Sequence, residues 1–171
     1  MPFIFENSKN SLFYIDPADI ETRKEEFKVF LKDNSDFIDI LSINENECFS
    51  LLSSIGISYP KDDLSDEKGL KSISKTLAEA FEIDINIHTR MGSVWSNGKE
   101  TEFAYSYPAE PNIITGAGDT WDAANLLGYL TDMEPSERLD FANLIASLYL
   151  ESTGAIPPDI EYLKLHLKNI Y

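Results

Sequence analysis

The chain has 171 residues, enough for one domain with a sizeable core, and 43% of them are hydrophobic, which argues against a disordered chain. Thirty acidic residues against fourteen basic ones give a formal net charge of −16, a field that repels phosphate backbones and anionic lipids and argues against nucleic acid and membrane surfaces as partners. Cys48 is the single cysteine, so no internal disulfide forms; with no long apolar run and no secretory leader, the expectation is the reducing cytoplasm.

Ser11 to Ile15 reads as a short strand closed by Asp16-Pro17, and Ile20, Phe27 and Leu31 then recur at helical spacing. Asp36 to Ser42 carries Phe37, Ile38, Ile40 and Leu41, a continuous apolar run that suits a strand buried on both faces. A helix is predicted from about Asn44, with Cys48, Leu52 and Ile55 on one face and Gly56 just past its end. Leu70, Ile73, Leu77 and Ala80 or Phe81 mark an amphipathic helix, and Ile83 to Ile87 alternates apolar with polar as a strand does.

Val94-Trp95 and Phe103 to Tyr107 flank Asn97-Gly98, a dipeptide typical of hairpin turns. Beyond Pro108 and Pro111 the pattern is helical. Thr120 to Leu130 is apolar nearly all round and is expected to be buried. Pro135 suits the first turn of a helix that carries Leu139, Ala142, Ala146 and Tyr149 on one face. Ile160, Leu163, Leu167 and Ile170 define a last helix. Strands alternating with helices predict a three-layer α/β domain with a mostly parallel sheet and one antiparallel hairpin. A single domain over residues 1–171 is expected, loosely ordered over Met1 to Asn10.

The sharpest chemical feature is the run Asn112-Ile113-Ile114-Thr115-Gly116-Ala117-Gly118-Asp119-Thr120-Trp121-Asp122-Ala123. It is a glycine-rich turn leading straight into a helix. Glycines at 116 and 118 let the backbone approach a ligand closely, and the unpaired N–H groups of the first helical turn favour an anion there. Asp119 places a carboxylate at the mouth of that cradle; taken alone, most such aspartates are ordinary acids in a helix's first turn. Upstream, Asn44 and Glu47 stand three apart at a strand-to-helix junction, the spacing of a capping pair and also of two oxygen donors for a hard cation.

Thr115-Gly116-Ala117-Gly118-Asp119-Thr120 with the aromatic, Asp and Ala that follow resembles the C-terminal signature of the ribokinase-like (pfkB) family of carbohydrate kinases. The resemblance implies transfer of a phosphoryl group from ATP, with Mg2+, to a hydroxyl of a sugar or sugar-like alcohol. It makes Asp119 the base that takes the acceptor's proton and makes the backbone of Gly116, Ala117 and Gly118 the anion hole. Asn44 and Glu47 fall on the family's Asn-X-X-Glu motif, which influences magnesium and phosphate binding. The family's Thr-Leu-Gly-X-X-Gly segment is replaced here by Thr89-Arg90-Met91-Gly92 after His88, leaving Thr89 and Gly92 as the candidates to line nucleotide phosphates. Asn143 falls where the adenine pocket lies. Trp121 and Ala124 stand where Phe and Gly are commoner.

The resemblance runs from about Ser11 to Leu167 and implies the C-terminal, nucleotide-binding portion of such a kinase. Nothing corresponds to the family's N-terminal half, with its β-sheet lid and most sugar contacts. The expected partners are a nucleotide and a small sugar or alcohol, and either further copies of the chain or the missing N-terminal half. Two functions follow: all or part of a carbohydrate kinase, or a non-catalytic nucleotide- or anion-binding module that acts with a partner.

Overall fold

The computed structural model describes residues 11–59, 64–159 and 161–163. The expected loose N-terminus, and the last helix apart from its start near Leu163, lie outside them. The chain divides into two compact units, Met1–Phe103 and Ala104–Tyr171.

The first unit is built on a sheet. Its elements are β1 (Tyr14–Ile15), a 3-10 turn (Glu21–Arg23), α1 (Lys24–Asn34), β2 (Ile40–Asn44), α2 (Glu45–Ser54), α3 (Glu67–Phe81), β3 (Asp84–His88) and β4 (Gly92–Ser96), with β5 (Thr101–Tyr105) running out of it. The strands lie in the order β1-β2-β3-β4-β5. The first three are parallel and β3 pairs antiparallel with β4. Four residues join β4 to its neighbour β5, and only an antiparallel pair can be joined so briefly. The α/β class and the hairpin at Asn97-Gly98 are as expected; the antiparallel part also includes the β3–β4 connection.

Register explains which face each strand buries. Leu41 pairs with Ile85 and Ile43 with Ile87, which in turn pairs with Val94, and all five belong to the core that α1, α2 and α3 cover. Because side chains alternate, the opposite face is more polar: Ser42 pairs with Asn86 and Asn44 with His88, alongside the buried Ile40 opposite Asp84. Trp95 shares that face and donates its indole N–H to the Asp84 carboxylate at 2.8 Å.

One strand differs from the sequence reading. β2 starts at Ile40, four residues later than expected, and Phe37 is 43% exposed. The end of α1 accounts for it: Asn34 C=O accepts the N–H of both Phe37 and Ile38, so the chain is still turning there. Asp39 then accepts the Phe13 N–H at 2.7 Å, tying the start of β2 to the approach to β1.

The helices of this unit are locally well signalled. α3 opens on Asp66, which accepts the Gly69 N–H at 2.8 Å, and buries Leu70, Ile73 and Leu77 completely. Each such side chain contributes about 1.5–3 kcal/mol relative to exposure. α2 ends at Ile55, and Gly56 follows at φ +75, the left-handed conformation that glycine adopts without penalty.

The second unit holds α4 (Ala117–Leu130) and α5 (Pro135–Leu150), packed on each other, with Pro135 in the first turn of α5 as expected. Gly128 makes their close approach possible: a Cβ there would lie 2.5 Å from Cγ of Arg138. Arg138, buried at 3% exposure, donates through Nε to Asn125 at 2.9 Å and stacks 3.5 Å from the Tyr129 ring centre. The expectation that α4 is buried all round is corrected. Trp121, Ala124 and Gly128 are buried, whereas Leu127 and Leu130 are 50% and 67% exposed. α5 packs on one side of the helix, and among the described residues the side carrying Leu127 and Leu130 is left exposed.

Candidate functional site

The glycine loop forms as its composition demands. Gly116 is the N-cap of α4 at φ +89, and no side chain caps this end of the helix. Its conformation and surroundings both require glycine, since a Cβ would stand 2.6 Å from the Tyr149 hydroxyl. That hydroxyl donates to the Thr115 carbonyl at 2.8 Å. On the other side, Gly116 C=O accepts from the Thr120 N–H at 3.0 Å and from the Thr120 hydroxyl at 2.8 Å.

The segment before the loop is anchored as well. Asn112 and Ile113 donate their N–H groups to Leu150 C=O at 2.8 and 3.3 Å, and the Asn112 amide donates to Glu151 C=O at 2.8 Å. The last carbonyls of α5 are thereby satisfied, and the loop entrance is fixed to that helix.

This geometry leaves a small set of donors. Ala117 directs its N–H back to Ile114 C=O at 3.3 Å, so of the three expected anion-hole residues it is the one whose N–H has an internal acceptor. Among the described residues, the N–H groups of Gly116, Gly118 and Asp119 meet no internal acceptor. Asp119 is exposed in the first turn, and Asp119, Ala123, Leu127 and Leu130 recur at helical spacing along one exposed stripe of α4. The arrangement offers backbone donors to an anion beside a solvent-facing carboxylate.

Asn44 and Glu47 form a complete capping box at the start of α2. The Asn44 side chain accepts the N–H of Asn46 at 2.9 Å and of Glu47 at 3.1 Å, while Glu47 accepts the Asn44 N–H at 2.9 Å. The capping and cation-donor readings are compatible only in part, because these oxygens already serve the helix. No group of three or more His, Cys, Asp or Glu side chains among the described residues could hold a metal ion. The pair therefore fits a cation that arrives with phosphates and its own waters better than one held in an all-protein cage.

Thr89 and Gly92 close the β3–β4 turn. The Thr89 hydroxyl donates to Gly92 C=O at 2.8 Å and accepts the N–H groups of Met91 and Gly92, both at 3.2 Å. One donor and two lone pairs are all a hydroxyl has. Arg90 extends this turn and donates its N–H to Glu45 of α2 at 3.3 Å. Asn143 is 4% exposed, donates to the carbonyls of Ala104 and Tyr105 at 3.0 and 3.1 Å, and accepts the Trp121 indole N–H at 2.8 Å. Both of its amide hydrogens are thus used within the second unit.

Sequence reasoning missed Tyr149 and Thr120 as supports of the loop. Thr120 is signalled only by its nearness in the chain. Tyr149 reads as one more apolar position of α5, and nothing in its spacing announces a bond across 34 residues.

Comparison with known proteins comes from sequence and from fold. The profile of the pfkB family of carbohydrate kinases matches residues 6–161. No curated protein matches. Among solved structures, ribokinase from Thermotoga maritima is similar at 20% identity and a TM-score of 0.74, over 97% of this chain and 52% of that one. Ribokinase from Cryptococcus neoformans in complex with ADP is similar at 17% identity and a TM-score of 0.71, over 95% and 55%. Adenosine kinase from Sinorhizobium meliloti is similar at 22% identity and a TM-score of 0.65, over 88% and 41%. The chain spans about half the length of these kinases.

Proposed function

Because the chain belongs to the pfkB family of carbohydrate kinases, we propose that it takes part in transferring a phosphoryl group from ATP to a hydroxyl of a sugar or sugar-like alcohol. The observation that carries this reading is the uncapped, left-handed Gly116 turn opening α4 with Asp119 exposed beside it. Phosphoryl transfer asks little of a protein beyond alignment and neutralisation of charge on the equatorial oxygens. The N–H groups of Gly116 and Gly118 supply hydrogen bonds to those oxygens. Asp119 accepts the proton of the attacking hydroxyl. Ala117 shapes the turn between the two glycines.

Mg2+ bound with the nucleotide would supply charge neutralisation at the phosphates, and Asn44 and Glu47 at the start of α2 are the residues whose oxygens would help to hold it. Thr89 and Gly92 hold the β3–β4 turn of the first unit in shape, and Asn143 acts on the start of α4 through Trp121. In this reading the acceptor alcohol is positioned by polypeptide corresponding to the rest of the matched kinases' length. Without it, positioning worth roughly 7–11 kcal/mol of the barrier is missing.

A second reading, a nucleotide- or anion-binding module without turnover of its own, is favoured by the side chains of Asn44, Glu47 and Thr89, whose polar atoms already serve their own turns. Calorimetric titration with ATP, with and without Mg2+, and a coupled kinase assay over sugars and nucleosides separate the two. Weak ATP binding without turnover supports the module for the chain by itself. Turnover lost in Asp119→Asn supports the kinase. No binding of ATP, pyrophosphate or phosphate overturns both.

A further inference from the structure

We propose that Tyr149 is a positioning residue of the anion loop: its hydroxyl sets the Thr115–Gly116 peptide so that the Gly116 N–H faces the phosphoryl group. The inference rests on the reading of Gly116 to Asp119 as a phosphoryl site. Tyr149 belongs to α5, is 6% exposed, and donates to the Thr115 carbonyl at 2.8 Å. No cis peptide occurs among the described residues, and a trans peptide holds its C=O and N–H in one plane, pointing in opposite directions. Pinning the Thr115 carbonyl toward the tyrosine therefore turns the Gly116 N–H away from it.

The alternative orientation is easily reached without this bond. Glycine at φ +89 tolerates more backbone conformations than any other residue, so the peptide before it is the loop's softest joint. Rotated by half a turn, that peptide presents a carbonyl oxygen to the anion instead of an N–H, replacing attraction with repulsion. The following joint is held locally, since Thr120 binds Gly116 C=O twice. Among the described residues, the Thr115–Gly116 peptide is the one of the Gly116–Asp119 loop that is held by a side chain from another helix. That side chain is rigidly based: the carbonyl of the next residue, Leu150, receives the N–H groups of Asn112 and Ile113, which clamps α5 to the loop's entrance.

The test is an amide NMR titration of the full chain with inorganic phosphate, for wild type and Tyr149→Phe. In the wild type, phosphate shifts the amides of Gly116, Gly118 and Asp119 and slows hydrogen exchange at Gly116. In Tyr149→Phe, which keeps the ring, the Gly116 response disappears while those of Gly118 and Asp119 persist. Affinity falls by about tenfold, the loss of one hydrogen bond to a charged group. A purely structural tyrosine would weaken all three responses together or none. Unchanged affinity with an intact Gly116 response in Tyr149→Phe overturns the proposal. So does a wild type in which phosphate protects Gly118 and Asp119 but not Gly116, a result that needs no variant to fold. A wild type with no response at any of these amides removes the phosphoryl site itself, and the proposal with it.

Discussion

The indole of Trp121 donates to the side-chain oxygen of Asn143 at 2.8 Å, with both residues buried. The Asn143 amide continues to the carbonyls of Ala104 and Tyr105, so one side chain joins α4, α5 and the end of β5. Trp121 stands two residues after Asp119, and this bond helps to set how α4 presents its first turn.

Asn143→Leu removes a buried acceptor and two donors at once. The buried indole N–H loses this bond, at about 1–3 kcal/mol, while the carbonyls of Ala104 and of the exposed Tyr105 turn in part to water. Urea unfolding is expected to show a loss of about 1–3 kcal/mol. Trp121→Phe, which removes one donor and trims the ring, is expected to cost less. Equal or smaller loss in Asn143→Leu would show that water replaces its bonds.

Gly116→Ala meets two obstacles, the positive φ and the Tyr149 hydroxyl at 2.6 Å from the new methyl group. The left-handed conformation alone costs roughly 1–2 kcal/mol, and the clash adds to it. In a Tyr149→Phe background the nearest remaining ring atom is Cζ, at 3.3 Å. The double variant is therefore expected to be more stable than the sum of the single losses predicts. A double-mutant cycle by urea unfolding measures this coupling, and strict additivity would contradict the close approach.

Asp119→Asn separates chemistry from folding. Asp119 is exposed, so stability is expected to change by no more than about 0.5 kcal/mol. Where the chain supports phosphorylation, alone or supplemented, turnover is expected to fall roughly 10²- to 10⁴-fold, the usual contribution of a positioned base. ATP affinity stays level or rises, because a negative charge beside the phosphates is gone. Full activity in Asp119→Asn, read by the coupled assay, would place the base elsewhere.

Cys48 is buried among the core of the first unit, and desolvation, with a smaller push from Glu45, raises its thiol far above the ordinary 9.0. The native thiol stays protonated in alkali while the unfolded one ionises. Above about pH 9 the unfolded state thus binds fewer protons, and stability falls as pH rises. Urea midpoints measured from pH 7 to 10 are expected to decline less steeply in Cys48→Ala than in the wild type. A disulfide reagent such as Ellman's is expected to label Cys48 only on unfolding; rapid native labelling would contradict its burial.

Local features were legible in the chain. The Asn44 and Glu47 spacing signalled the capping box that forms, Gly56 ends α2, Asn97-Gly98 turns the hairpin, and Gly116 to Asp119 opens a helix. In each case the deciding contacts lie within a few residues, so side-chain type and backbone freedom suffice to specify them. The family's signature was readable for the same reason, being contiguous.

What the sequence alone could not decide depends on partners distant in the chain. β2 begins at Ile40 because α1 continues to turn at Phe37, and an apolar run does not say where a helix releases it. Leu127 and Leu130 are exposed because α5 packs on only one side of α4, a matter of which faces meet rather than of composition. Asn143 looks like any polar helical residue until the carbonyls of Ala104 and Tyr105 are brought to it across 39 and 38 residues. By itself the sequence determined the α/β class, the glycine loop and its carboxylate. The tertiary structure alone decided what holds that loop, because an N–H is aimed by the peptide plane, and here a hydroxyl 34 residues away secures the plane.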